Sequence, residues 1–319
     1  MATGIFPATG GFTGVSDLTA FIPELWSDEV RGAYEQNLVL ANLVKRVPFE
    51  GRKGDTMRFP APVRGAVTAK SENTAVTVQN DTANTQITLT INQHNEYSRL
   101  MEDIGAIQAL DSQRQFYTQD AGYALAKEID TDLFALGKNL GDGAGSDWTN
   151  SRVKYVDAST GLTAYAADTV ASADVVDDDG VRSAIKLLDD SDVPMDDRFW
   201  VFPPSVRKDL MGIDRYVSSD FVPGTTVYNG RLGNIYGMEL YVSNNCPVVE
   251  TASANTANAN DVKASMMFHR DAFILAEQQT VRSQAQYKQE WLGWLYTADC
   301  LYGVVCYRPD NGVVIVVNA

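Results

Sequence analysis

The stretch from Ser112 to Lys138, SQRQFYTQDAGYALAKEIDTDLFALGK, has no proline and constrains this chain more than any other. Tyr117, Ala121, Leu125, Ile129, Leu133 and Leu136 recur at spacings of four and three, which puts them on one face of an α-helix. Lys127, Asp130 and Thr131 fall on other faces, and Gly141 and Gly143 end the pattern. Ser112 and Gln115 have the spacing of a capping box, in which each side chain satisfies an orphan backbone donor of the first turn. At 1.5 Å per residue the rod would be roughly 40 Å long, well above the average for a globular protein. A helix of that length predicts a subunit stretched along a surface, with this helix as its backbone.

The 319 residues suffice for two or three domains with real cores. A 45% hydrophobic and 21% charged composition is that of an ordinary globular protein. The net charge of −15 repels nucleic acid and anionic membranes, which argues against a DNA-reading role. No apolar run approaches the roughly 18 residues of a membrane span. The first basic residue is Arg31 and no signal-like core precedes it, so secretion is not indicated. Cys246, Cys300 and Cys306 are odd in number and form no CxxC, a pattern of free thiols in a reducing compartment. If Cys300 and Cys306 share a strand, they lie about 20 Å apart, too far for a bridge.

Residues 1 to about 20 are rich in Gly, Thr and Ala and read as a flexible arm. A helix is predicted from about 23 to 42. Pro23, Glu24, Asp28 and Glu29 suit its start, and Trp26, Val30, Ala33, Tyr34, Asn37 and Ala41 share a face. Lys45 and Arg46 would complement its far end. From Gly51 the period changes to 2. Thr56 to Pro60 is a short strand. Val76 and Val78 alternate with Thr77, and Ile87, Leu89 and Ile91 alternate with Thr88 and Thr90. The reading is a long β-hairpin over 51–97, its halves joined by the polar stretch 79–84. A lone hairpin is marginal in water, so it must lean on its own domain or on a neighbouring subunit.

Met101 to Leu110 is predicted to hold a short helical segment, followed after the long helix by a loop at 141–151 and a polar region to Asp174. Val181, Ala184, Ile185 and Leu188 mark a helix over 180–190. A strand at 198–202, a short helix through Met211 after Pro203 and Pro204, and a strand at 237–243 come next. Residues 251–261 are a low-complexity loop. The apolar run 266–276 turns at His269, Arg270 and Asp271. The tail gives strands at about 296–307 and 313–317 around the turn Arg308-Pro309-Asp310-Asn311-Gly312.

No constellation of catalytic, cofactor-binding or metal-ligating residues emerges. His94 and His269 are the only histidines, and neither sits in a triad or zinc pattern. Aligning Gly180 with a calcium-loop glycine puts Val175 in the first ligand position and Lys186 where a bidentate Glu belongs, so the acidic run before Gly180 reads as a solvated helix start. The glycines at 141–145 follow a helix and lack a following Lys-Ser/Thr, so they form no phosphate cradle. Trp291, Trp294 and Tyr296 read as core or subunit interface.

The order of arm helix, hairpin, long helix and mixed body resembles the major capsid proteins of tailed bacteriophages, the Hong Kong 97-type shell fold. IPELWSDEVRGAYEQNLVLANLVKR (22–46) is similar to the family's arm helix. KGDTMRFP and the hairpin are similar to its extended loop, and residues 112–138 to its spine helix. RFWVFPPSVRKDLM, GRLGNIYGMELYVSNNCP and FHRDAFILAEQ are similar to axial-domain segments, and LYGVVCYRPDNGVVIV closes the peripheral sheet. The resemblance implies an α+β fold with an arm at 1–50, an extended loop at 51–97, a peripheral domain at 98–195 and 280–319, and an axial domain at 196–279. It implies a non-enzymatic protein of the virion, assembled in the host cytoplasm, whose hexamers and pentamers enclose double-stranded DNA without sequence-specific binding. No membrane, cofactor or metal is implied. A separate scaffolding protein, a portal and decoration proteins are the implied partners. Lys70, Val76, Val78, Ile87, Leu89 and Ile91 become the expected contacts of the extended loop with a neighbouring subunit. Some relatives crosslink a Lys to an Asn. Lys70 lies in the hairpin, but nothing marks a partner. The alternatives are a bacterial nanocompartment shell and a carboxylate-dependent hydrolase.

Overall fold

A computed structural model describes residues 39–49, 54–61, 67–76, 78, 85–102, 112–141, 145, 147–213, 216 and 234–319. The arm at 1 to about 20 and the helix predicted from 23 lie outside the described residues, apart from the end of that helix. So do most of the helix predicted at 101–110 and the side chains of Ser112, Gln115 and Tyr117.

Two apolar strands organise the larger of two main sheets. β10 (Val262–His269) and β13 (Gly312–Asn318) are buried along nearly their whole length, and a continuous apolar run is what a strand covered on both faces requires. They pair antiparallel, with Met266 opposite Val314. Around them stand β5 (Val153–Asp157), β6 (Gly161–Ala164), β7 (Arg198–Phe202), β8 (Glu239–Val242) and β9 (Val248–Glu250). The order is β6-β5-β13-β10-β7-β8, with β9 pairing β10. Alternation then assigns side chains to faces. Trp200, Phe202, Met267 and Ile315 pack with α3 (Asp178–Asp189) and α4 (Pro204–Met211) through Val181, Ala184, Leu188, Val206 and Leu210. Phe199, Val201, Met266, Phe268, Val314 and Val316 turn to the other face, into a core shared with α2 (Ser112–Ala135).

The second sheet has the order β1-β11-β12-β4, from β1 (Lys45–Pro48), β11 (Phe273–Lys288), β12 (Gly293–Cys306) and β4 (Gln93–Glu102). Along one face lies α2, close to the predicted span, running into a 3-10 turn at Leu136–Asn139. Ala121, Leu125 and Leu133 are buried and Ile129 and Leu136 partly buried on the shared core, as the spacing predicts. Two phenols tie helix to sheet: Tyr97 donates to Asp120 at 2.9 Å and Tyr302 to Asp132 at 2.6 Å.

Several expectations need correction. Asp130, off the apolar stripe of the helix as its spacing predicts, is nonetheless fully buried. Its carboxylate accepts from Leu40 N at 2.9 Å and Asn245 Nδ2 at 3.1 Å. It thereby caps the four-residue helix α1 (Leu40–Leu43), whose own N-cap residue Val39 makes no side-chain cap bond. Orphan amides at a helix start need an acceptor, and one 90 positions away supplies it. Lys45 and Arg46 lie in β1, paired parallel with β11, although Arg46 Nε reaches back to Ala41 O at 3.0 Å. Met101 belongs to β4, not to a helix. The polar region before Asp174 holds β5 and β6. The tail strands flank their turn as expected but enter different sheets, because β12 pairs β11 and β4 whereas β13 pairs β10 and β5. Strand pairing therefore joins 153–164 and 312–318 to the sheet of 198–269, across the expected domain split.

Burial holds the Asp130 carboxyl above the ordinary carboxylate range, although the bonds from Asn245, Leu40 and Ala41 favour the anion. The native state thus binds this proton more tightly than the unfolded chain. The group contributes stability in acid that is lost as pH rises from 3.8 through its raised native value. Asp130→Ala is expected to cost about 3 kcal/mol by orphaning buried donors. Asp130→Asn, with a flipped Asn245 amide, is expected to stay within ~1 kcal/mol and to flatten the pH dependence. Urea melts from about pH 4 to 8 check both.

Candidate assembly surface

The hairpin is built from β2 (Thr56–Ala61) and β3 (Thr85–Thr90), with Met57 opposite Leu89 and Phe59 opposite Ile87. Its two ends meet different surroundings. Near the body, Leu89 is 0% exposed and Ile91 is buried, against Phe49, Ile274 and Ala276 of the same chain. Ile87 is half-buried. Leu89 and Ile91 are thus part of the subunit's own packing and are not free to cover a neighbour, a correction to the expected contact set. The reason is non-local: β11 presents Ile274 and Ala276 on the face turned away from α2, and the hairpin root fills that face.

Farther out, Lys70 is exposed, and Val76 and Val78 are 75% and 88% exposed. Neither valine lies in a strand, although their alternation with Thr77 predicts one; Thr77 and 79–84 lie outside the described residues. Sequence alone pairs Val76 and Val78 with 87–91, whereas the ladder runs 56–61 against 85–90. Burial on the seat selects this register.

A second exposed apolar group lies where β11 turns into β12. Trp291 is 63% and Trp294 49% exposed, and Trp294 stacks edge-on with Tyr287 at 5.5 Å. Leu292 beside them is also exposed and has a left-handed φ of 43°. Tyr296 packs on the main core. The aromatic cluster therefore divides between core and surface.

The remaining candidates have structural partners. His94 Nε2 lies 3.4 Å from Asp299, which Arg282 grips through Nη2 at 2.8 Å and Nε at 3.1 Å. The Arg282 hydrogen bonds hold the Asp299 carboxyl below its usual range. Beside a β-bulged stretch of β11, these contacts tie β11 and β4 to the central strand β12. His269 accepts from Asp271 N at 3.1 Å, and burial lowers its pKa. In the acidic run, Asp177 caps α3 through Gly180 N at 2.7 Å, and Asp178 accepts from Tyr216 and Tyr236 at 2.6 and 2.8 Å. All three cysteines are free, and burial pushes Cys246 and Cys306 each up to about 12, so these thiols are poor nucleophiles. Among the described residues, no three His, Cys, Asp or Glu side chains converge as a metal site would require, and no helix is long and apolar enough to cross a membrane.

A long helix on a sheet, a rooted hairpin with an exposed outer part, and a second lobe around a mixed sheet make up an α+β shell-subunit fold of the Hong Kong 97 type. Solved structures agree. One from Mycobacterium phage Che8 matches with a TM-score of 0.67 at 24% identity, covering 92% of this chain and 97% of that one. The capsid structure of the cyanophage P-SCSP1u gives 0.71 at 16% identity, covering 99% and 100%. The capsid of cyanophage Pam1 gives 0.68 at 14% identity, covering 94% and 97%. No curated protein matches the sequence. Residues 19–318 match the sequence model of the phage capsid protein family, and the chain belongs to that family. It is a tailed-phage major capsid protein, a structural component of the virion shell, and neither alternative reading is favoured.

The two halves of the hairpin should respond differently to truncation. Leu89→Ala is expected to cost about 2–5 kcal/mol, as removal of a fully buried leucine does. Val76→Ala and Val78→Ala are expected to stay within about 0.5 kcal/mol, as exposed sites do. Thermal melts of the isolated subunit check the contrast.

Proposed function

We propose that the outer part of the hairpin, including Lys70, Val76 and Val78, lies over a neighbouring subunit in an icosahedral shell that encloses double-stranded DNA. One observation carries this reading. The root of the hairpin is locked into its own subunit, while the apolar residues Val76 and Val78 beyond it stay exposed among the described residues. A monomer gains nothing from exposed valines on an outlying segment, whereas a shell surrounds each subunit with copies. Each contact is modest, at about 1.5–3 kcal/mol per buried side chain before ordering costs. Repetition around a closed shell turns it into a cooperative one.

In this reading, α2 and the four-stranded sheet form the peripheral lobe. The larger sheet with α3 and α4 forms the axial lobe, at the centre of hexamers and pentamers. Residues 153–164 and 312–318 belong with the axial lobe because of their strand partners. The subunit's role in this reading is structural. A net charge of −15 suits a container that does not grip its DNA. Scaffolding, portal and decoration proteins are its partners.

The test is a deletion that spares the root. Removing 67–78 and closing with a short Gly/Ser turn is expected to leave β2, β3 and the melting temperature intact and to abolish regular shells under the electron microscope. A cut reaching residue 90 would remove Leu89 and confound the result. Closed shells of normal size from the shorter deletion would refute the assembly role.

A further inference from the structure

The face of the second sheet turned away from α2 carries an apolar cluster that shares no residue with either main core. Ile274 and Ala276 form its floor. Two segments, each about two hundred positions away from it in sequence, stand on that floor. One is the end of the arm, where Phe49 follows β1 and is buried. The other is the hairpin, through Phe59, Leu89 and Ile91.

A single ring touches both. Tyr307, just past β12, meets Phe59 of the hairpin edge-on, with centroids 5.7 Å apart and planes at 67°. Lys45 of β1 places Nζ 5.8 Å from the centroid of the same ring, and Arg308 places its guanidinium carbon 5.6 Å from it. Lys45 is itself held by Asp271 at 3.0 Å. Two hydrogen bonds close the base of the hairpin: Ile91 N donates to Asp55 O at 2.8 Å, and Gln278 Nε2 donates to Gly54 O at 3.1 Å.

Neither segment is a stable element alone. β1 is a four-residue parallel edge strand, and β2–β3 is a two-stranded sheet of the kind that is marginal in water. Each supplies part of the other's seat. Occupancy of the seat by one therefore raises the stability of the other, which is a coupling free energy carried by contiguous packing.

We propose that Phe49 and Tyr307 are positioning residues that couple the end of the arm to the extended hairpin, so that a contact made on either segment by a neighbouring copy stiffens the other. The consequence for assembly rests on the hairpin role proposed above; the coupling is a property of the single subunit and is measured there.

The experiment is hydrogen–deuterium exchange with mass spectrometry on the full-length unassembled chain. Phe49→Leu and Phe59→Leu are each expected to raise exchange about tenfold in both 45–49 and 85–91, while β10 and β13 stay unchanged. Tyr307→Leu is expected to loosen both segments, and Tyr307→Phe, which keeps the ring, to restore wild-type exchange. If Phe49→Leu does not fold, Val47→Ala replaces it, with the same expectation. Phe49→Leu loosening β1 alone, Phe59→Leu loosening the hairpin alone, or a uniform rise across all strands would each overturn the coupling. A chain that shows coupled exchange but never assembles would sink the shell role of the hairpin and leave the coupling standing.

Discussion

Successive residues of β11 and β12 face opposite ways, and the subunit depends on what each face meets. Phe273, Leu275, Ala298, Cys300 and Tyr302 turn to the core shared with α2. Ile274, Ala276, Leu301 and Val305 turn to the seat of the hairpin. A period of two, imposed by backbone geometry, thus holds the long helix on one side of the sheet and the extended hairpin on the other. Slipping either strand by one residue would exchange the two faces and lose both. The same alternation in β10 and β13 separates the helices α3 and α4 from the end of α2.

Much of this was legible in the sequence, and the rest was hidden for a common physical reason. The spine helix, α3, β7, α4 and the turns near 270 and 309 follow from local periodicity and turn chemistry, both of which a single stretch records. β4 escaped because it is an edge strand with one exposed side, so HNEYSRLME reads as polar. The hairpin register escaped because two stretches, 76–78 and 56–60, both alternate, and the choice between them is made by Ile274 and Ala276, about two hundred positions away in sequence. Asp130 escaped for the same reason: nothing near it in sequence says that the amides of Leu40 and Ala41 need its carboxylate. Within the expected contact set, Leu89 and Ile91 serve the root of the hairpin while Val76 and Val78 are left outside it, a division that local alternation does not record.

Polar contacts add direction to the packing of the second sheet and its helix. Phenol–carboxylate bonds at Tyr97–Asp120 and Tyr302–Asp132 align α2 on its sheet, where hydrophobic packing alone leaves sliding inexpensive. Arg282, Gln279 and His94 converge on Asp299 across three strands at the bulged part of the sheet. Such directional contacts fix register and angle.

The central claim is that one hairpin is divided between two subunits, its root in its own core and its outer part on a neighbour. Electron cryomicroscopy of shells assembled from the full-length chain tests it most directly. The account requires Val76 and Val78 to be covered by an adjacent copy while Leu89 and Ile91 remain on the seat formed by Phe49, Ile274 and Ala276 of their own chain. Closed shells in which Val76 and Val78 still face solvent, or in which Leu89 has moved onto a neighbour, would contradict it.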